Sequence, residues 1–455
     1  MTIARSRPAR RAIDELSLSV EETDLEALAT GEPAWLSADR RQGYDAWSAL
    51  PSESNLLYTP YIDLRAARLE TATLVTAPPA GRQTGTLPPD AAALIEITDG
   101  AVTAAVLSDA ASAAGITLTD LRGLLDRDPE LARTLIVEGP GVPANDKFAQ
   151  LTRAAWSQGV VLDVPAGVRL DRPVVIRWAV GEPDSALLTR SLVRIGDGAH
   201  VALVEELVPS AAADPAAAQA FFAGTMEVTI GADATLRVAS LQELPGNVVA
   251  IQHRAATVGA TSALQWALAQ LGGRLVRSRV DNRLVGDRSS VEQVEIVFGA
   301  DEQLFDLTSY TFHVGKDTTG NLLSKAALLE KARTYLKGLI TIERSANGTD
   351  SFLGEFGMNL SKAARSVAIP SLEIDQPDCR RAAHSSSVGP IDETQLFYLE
   401  SRGIPPDEAR KFIVLGFLEP VVARVPLASA QDRLRELLEA KWIAGTDGRD
   451  GEAAA

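Results

Sequence analysis

The chain has 455 residues, 46% hydrophobic and 23% charged, enough for more than one buried core. Acidic residues outnumber basic ones 60 to 44, and the resulting net charge of −16 disfavours nucleic-acid phosphates and anionic lipid as partners. A single cysteine, Cys379, excludes an intrachain disulfide and excludes an iron–sulfur cluster held by this chain's thiolates alone.

In chain order, the first 65 residues read as a helical cap: Glu15, Leu16, Val20, Leu25, Leu28 and Trp47 lie in mixed apolar and charged segments broken by Gly31, Pro33 and Pro51. The opening MTIARSRPARRAIDEL is basic but has no uninterrupted apolar stretch behind it, so it does not read as a secretion signal. No apolar run approaches the ~18–20 residues of a membrane helix, and a cytoplasmic protein without a membrane partner is expected. From 66 to about 155 short strands, such as Leu94 to Ile97 before Asp99-Gly100, mix with helices near 119–136 and 145–157. The Pro- and Gly-rich segment 77–91 reads as a loop.

From residue 158 the pattern changes. An aliphatic residue followed by glycine recurs at Ile195-Gly196, Ile230-Gly231, Val258-Gly259, Val285-Gly286 and Val314-Gly315, at spacings of 35, 28, 27 and 29 residues. Strands of alternating character follow, among them Val201, Leu203 and Glu205, then Leu236, Val238 and Ser240, then Leu264, Trp266 and Leu268. A repeat of ~20–50 residues marks units that bury a face only by stacking on their neighbours. The fold class expected is mainly β: a right-handed parallel β-helix, or β-solenoid, flanked by amino- and carboxy-terminal helical regions. A stack of separate hairpins is the alternative, since glycine turns occur in every all-β protein.

Helical signals return after Gly389. Asp392 is an N-cap for a helix to Arg402, Gly403 ends it, and Pro405-Pro406 opens a second helix with Ala409, Phe412, Ile413, Gly416 and Phe417 on one stripe. A third helix runs from about 429 to Trp442, and the tail from Gly445 reads as disordered. The expected organisation is a mostly helical region with a small α/β part over 1–157, a β-helix over 158–390, and a helical region with its tail over 391–455.

Several stretches carry a family resemblance. They are Glu32 to Leu36; Leu50-Pro51 before Tyr58-Thr59; Gly159 to Val168; Gly272-Gly273 with Arg277; Leu284 and Gly286; and Gln303, Asp306 and His313. The densest block is Ile369 to Ile374, then His384 to Gly389, then Leu396 to Ile404. In this order they resemble the SufB/SufD family of iron–sulfur cluster assembly scaffolds, and Ala383 before His384 is similar to the SufD branch. The resemblance implies a non-catalytic scaffold that pairs with a SufB-like subunit and binds a SufC-type ATPase through its carboxy-terminal helices. It also implies no tightly bound cofactor, with a transient iron–sulfur cluster at the interface with SufB. The isolated chain is expected to be able to pair with itself as a homodimer; a SufB-like or self-pairing subunit is the nearer alternative, and a β-helix enzyme acting on polysaccharide the remoter one.

The site residue this reading selects is His384, a cluster or metal ligand shared with the partner subunit, since neutral imidazole binds iron well. Many SufD proteins place a cysteine two residues before this histidine, where this chain has Ala382. Cys379 lies five before it, a spacing that on a regular strand points away from His384. His313 reads as a residue of the solenoid interior, and His200 and His253 have no polar constellation in sequence. Gly315-Lys316 is not a phosphate loop, because Asp317 stands where Ser or Thr must meet magnesium. Asn347-Gly348-Thr349 and Asn359-Leu360-Ser361 match the glycosylation pattern only by chance.

Overall fold

The computed structural model describes residues 13–447, apart from 78, 80 and 82–84; the basic amino terminus, part of the expected 77–91 loop and the tail beyond 447 lie outside the described residues. Helices α1 (Glu22–Ala29) and α2 (Ala34–Ala49) are separated by Gly31, whose φ of +78° only glycine adopts freely. Between residues 13 and 72 the rest of the chain is irregular, with one 3-10 turn at Thr59–Tyr61, less helical than the sequence suggests.

Next come β1 (Thr73–Leu74) and a hairpin of β2 (Ala93–Thr98) and β3 (Ala101–Leu107). Its Asp99-Gly100 turn has positive φ at both residues, which the twist of a tight hairpin favours. After α3 (Asp109–Ala113) and β4 (Thr117–Asp120), the expected helix near 119–136 is two, α4 (Leu121–Arg127) and α5 (Pro129–Glu138). Pro129 cannot donate to the preceding turn, and Asp128 both ends α4 and caps α5 through the Leu131 amide, 3.0 Å away. Helix α6 (Lys147–Ala155) leads into the solenoid.

The solenoid strands are β5 (Gln158–Val164), β6 (Val174–Val180), β7 (Ser185–Ile195), β8 (His200–Pro209), β9 (Ala220–Ile230) and β10 (Thr235–Gln242). They continue as β11 (Val248–Val258), β12 (Ala263–Gln270), β13 (Leu275–Leu284), β14 (Ser290–Gly299) and β15 (Leu304–His313). The last are β16 (Thr319–Leu328), β17 (Arg333–Ile342), β18 (Asp350–Asn359), β19 (Arg365–Ile374) and β20 (Arg381–Gly389). Odd-numbered strands from β5 form one sheet and even-numbered strands from β6 the other, and from β7 on each pairs in parallel with the strand two before it. This is the expected parallel solenoid. Hairpin stacks are excluded, because among the described residues the antiparallel pairs are β2 with β3 and β4 with β5.

The recurrent glycines form one corner. The amide of Gly231 donates to Ile195 (2.8 Å), that of Gly259 to Ile230 (2.9 Å), that of Gly286 to Val258 (3.1 Å) and that of Gly315 to Leu284 (2.9 Å). A Cβ on Gly259, Gly286 or Gly315 would lie 2.7, 2.0 or 2.5 Å from backbone of the coil beneath. Two residues further on, Gly198, Asp233, Thr261, Arg288 and Asp317 stack as a second column with φ near +55 to +68°. Because that column accepts Asp, Thr and Arg, it leaves no repeat in the sequence.

Alternate residues of each strand fill the lumen. Val201, Leu203, Leu236, Val238, Leu264, Trp266, Leu268, Phe305 and Leu307 belong to one continuous core. The opposite faces are also covered, so strands from β7 to β15 are buried on both sides. Phe148, Leu151 and Ala154 of α6 pack on Leu188, Phe221, Val249 and Ile251 of the odd sheet. On the even sheet, Ala269, Ile296 and Phe298 lie under α8 (Pro406–Val422) and α9 (Ala428–Asp447) through Val414, Leu418, Leu434, Leu438 and Trp442.

Two expectations about these helices are corrected. The buried stripe of α8 is Ala409, Val414, Leu418, Val421 and Val422, while Phe412 is 60% exposed. The segment is apolar around most of its circumference, so the solenoid decides which face is buried. Helix α9 runs to Asp447, past the Gly445 at which disorder was expected.

Candidate functional site at the open end of the solenoid

The last coil is uncapped. Among the described residues β19 pairs only with β17 and β20 only with β18, so both sheets end in a free backbone edge. Such edges template pairing with another chain unless something blunts them. Pro370, opposite Gly338 in the middle of β19, fits an edge because it has no N–H to give a further strand.

His384 lies on β20 in register with Leu353 of β18, whose side chain is in the core. The imidazole therefore continues a lumen column, but with no coil beyond it the residue is exposed. Ala382, on the same face, packs with Leu372 and Cys379 against the last apolar cluster, formed by Leu322, Ile340, Ile342, Ala346 and Leu353. Cys379 thus does not follow strand parity: it sits in the turn before Arg381 opens β20 and comes to the same cluster as Ala382. Strand alternation holds only inside a strand, which is why the five-residue argument fails here.

His313 is fully buried, with Nδ1 2.8 Å from Thr318 Oγ1 and Nε2 3.0 Å from Ser351 Oγ. Burial pushes its pKa down to about 4, so it is a neutral hydrogen-bonding core residue, as the sequence suggests. Lys316 and Asp317 lie in a tight turn after β15, with Asp317 at φ +55°, and no helix starts there to cradle a phosphate. His253 is the residue whose place the sequence hides. Its Nε2 is 3.1 Å from Asp146 Oδ1, inside a buried cluster on the outer face of the odd sheet. There Arg277 faces Glu53 (3.1 Å), Asp146 (3.3 Å) and Asp306 (3.8 Å); Arg279 faces Asp146 and Asp281; and Lys337 faces Asp306 (2.5 Å). Burial alone would raise the Asp146 carboxyl, but His253, Arg277 and Arg279 hold it well below its ordinary value. These residues bind the amino-terminal region to the solenoid.

At the other side of the open end, Asp392 caps α7 (Glu393–Ser401) by accepting the Thr394 amide at 2.8 Å. No residue of α7 is buried: Phe397 is 71% and Tyr398 57% exposed, and Phe412 of α8 is 60% exposed. A shallow cleft of about 430 Å³ between the two helices is lined by Thr394, Gln395, Tyr398, Leu399 and Ile413. Among the described residues no three His, Cys, Asp or Glu side chains converge as a metal site, and no helix is long and apolar enough to cross a membrane.

Comparison with known proteins accounts for this arrangement. The family model "SUF system FeS cluster assembly, SufBD core domain" matches residues 178–417, more than half of the chain. The chain belongs to the SufBD family. It is similar to the iron–sulfur cluster assembly protein SufD of Bacillus subtilis, with 29% identity over 72% of this chain and 74% of that protein. It is also similar to an iron–sulfur cluster assembly SufBD family protein of Staphylococcus epidermidis, with 28% identity over 70% of this chain and 68% of the relative. The SufBD match takes in the solenoid from β6 to the free edges and continues through α7 into α8. His384, Cys379 and the exposed α7–α8 face all lie within it.

Proposed function

We propose that this chain is a non-catalytic, SufD-type scaffold of a cytoplasmic iron–sulfur cluster assembly complex. In this reading the free edge of β20, with that of β19 away from Pro370, pairs with a SufB-like subunit, and the nascent cluster is cargo held at that junction with His384 as this chain's imidazole ligand. The observation that carries it is the uncapped last coil: a solenoid covered on both outer faces ends in two unpaired edges, with a single histidine of the lumen column open to solvent. The partner supplies thiolates that this chain lacks.

Substitution His384→Ala is expected to leave folding and complex formation intact and to lower apparent iron affinity of the reconstituted assembly by about tenfold or more. Iron and sulfide content after reconstitution, with size-exclusion chromatography of the complex, measures this. Full loading of the variant would reduce His384 to a structural residue. Cys379→Ser should load normally, since the thiol packs against Leu372 and Ala382.

The same reading gives the exposed α7–α8 face to the SufC-type ATPase, whose hydrolysis supplies the motion. The cleft of Tyr398, Leu399 and Ile413, with the exposed rings of Phe397 and Phe412 on the same two helices, in a chain of net charge −16 calls for a partner that buries it. Phe412→Asp is expected to weaken ATPase binding by about 2 kcal/mol, roughly 30-fold, because it places a carboxylate in an apolar contact. Titration calorimetry with the isolated ATPase measures it, and unchanged affinity would move the docking site elsewhere.

A further inference from the structure

One carboxyl in the interior is held unlike the others. Glu355 of β18 is 1% exposed and faces the lumen, two residues beyond Leu353 on the same face. Other buried carboxylates of this chain meet a cation, as Glu53 meets Arg277, Glu227 meets Arg190 at 2.6 Å, and Glu205 meets Arg254. Glu295, which has none in contact, accepts instead from Ser278 (2.8 Å) and Gln270 (3.1 Å). Glu355 has neither. Its Oε2 accepts the backbone N–H of Ile369 at 2.8 Å, and Oε1 accepts no hydrogen bond among the described residues.

The place of that bond matters. Ile369 is on the edge strand β19, so the carboxyl reaches from the penultimate coil to the level of the open end. Room is made for it by Gly338, where a Cβ would come within 2.8 Å of Glu355 Oε1. His384 stands on the adjacent strand, opposite Leu353, on the same lumen face. With strands ~4.8 Å apart and a rise of ~3.3 Å per residue, the Cα atoms of Glu355 and His384 are about 8 Å apart, a separation that two side chains can close around one ion.

We propose that Glu355 and His384 are the two ligands this chain contributes to a half-site for a divalent transition metal, ferrous iron as cargo, which the pairing subunit completes. The inference rests on the reading of the open end as the place where the cluster forms. Carboxylate oxygen with imidazole nitrogen is a donor set suited to ferrous iron, and a half-site of two is consistent with no set of three converging among the described residues. Burial raises the Glu355 pKa to about 8, which is the cost of a desolvated carboxylate with no countercharge and is relieved when a cation arrives.

The test uses the assembled complex with its SufB-type and ATPase subunits, titrated anaerobically with Co2+ and followed by visible absorption, for the wild type and the variants Glu355→Gln, Glu355→Asp and His384→Ala. The expected result is a Co2+ affinity lower by about tenfold or more in both glutamate variants and in His384→Ala, with unchanged elution and melting temperature. If the glutamate variants bind Co2+ as the wild type does while His384→Ala does not, Glu355 is only a cap on the Ile369 amide and this proposal alone fails. Wild-type binding in all variants would overturn the reading of the open end with it. Loss of assembly or of melting temperature in both glutamate variants would assign the carboxyl to structure and overturn the proposal equally.

Discussion

Replacing Arg277 with alanine is expected to destabilise the protein by about 3–5 kcal/mol, as removing one partner of a buried ion pair does. Its guanidinium is 1% exposed, lies over the Phe148 ring with 5.2 Å to the centroid, and faces Glu53, Asp146 and Asp306 together. Truncation leaves those carboxylates, all buried, with Arg279, Lys337 and His253 as the remaining cationic or basic neighbours. The damage should be greatest where the amino-terminal region meets the solenoid, because Glu53 also accepts the Asn55 amide at 3.0 Å and Asn55 in turn donates to the Tyr310 hydroxyl at 3.3 Å. Urea unfolding gives the magnitude, and hydrogen exchange should show lost protection over residues 50–64 before the solenoid opens. The neighbouring Arg274→Ala removes only a surface pair with Glu302 and should cost under about 1 kcal/mol. Equal losses in the two variants would show that the cluster contributes nothing beyond surface pairing.

That cluster also shows where sequence reading stops. Arg277 and Asp306 carry the family resemblance, yet their meaning depends on Glu53 and Asp146, which are 224 and 131 residues from Arg277 in the chain. No local pattern joins them, and His253 alone on a strand gives no sign of the carboxylate above it. The solenoid was legible for the opposite reason: each coil repeats one steric demand at one corner, so glycine returns at nearly constant spacing. Helix α8 was misread because apolar residues surround it and periodicity cannot choose a face. His384 was found through resemblance, whereas Glu355 carries only the alternation of a lumen strand, indistinguishable in sequence from Glu205 or Glu295. What sets it apart is the absence of both a cation and a side-chain donor among the described residues, together with the free edge, all properties of the folded chain.

The corner column supplies the second large effect. Gly286→Ala is expected to cost about 3 kcal/mol, at the upper end of overpacking. Its φ is not positive, so the cost does not come from glycine's conformational freedom. The added methyl would lie 2.0 Å from Ala260 N and 2.3 Å from Gly259 C, and these are backbone atoms of a corner held by the bonds from Gly259 N–H to Ile230 O and from Asp233 N–H to Ala260 O, both 2.9 Å, with no rotamer by which to withdraw. Relief requires the coils to part at the corner, which lengthens the Gly286 to Val258 bond of 3.1 Å and disturbs Gly315 stacked above. Because each coil rests on the one before it, the strain should spread along the column. Gly389→Ala is the control: it ends β20 with nothing within 4 Å of a new Cβ, and its stability should stay within about 0.5 kcal/mol of the wild type. Chemical denaturation of the two variants decides it. A Gly286→Ala protein as stable as Gly389→Ala would mean that the glycine column records ancestry of the repeat and not a steric demand.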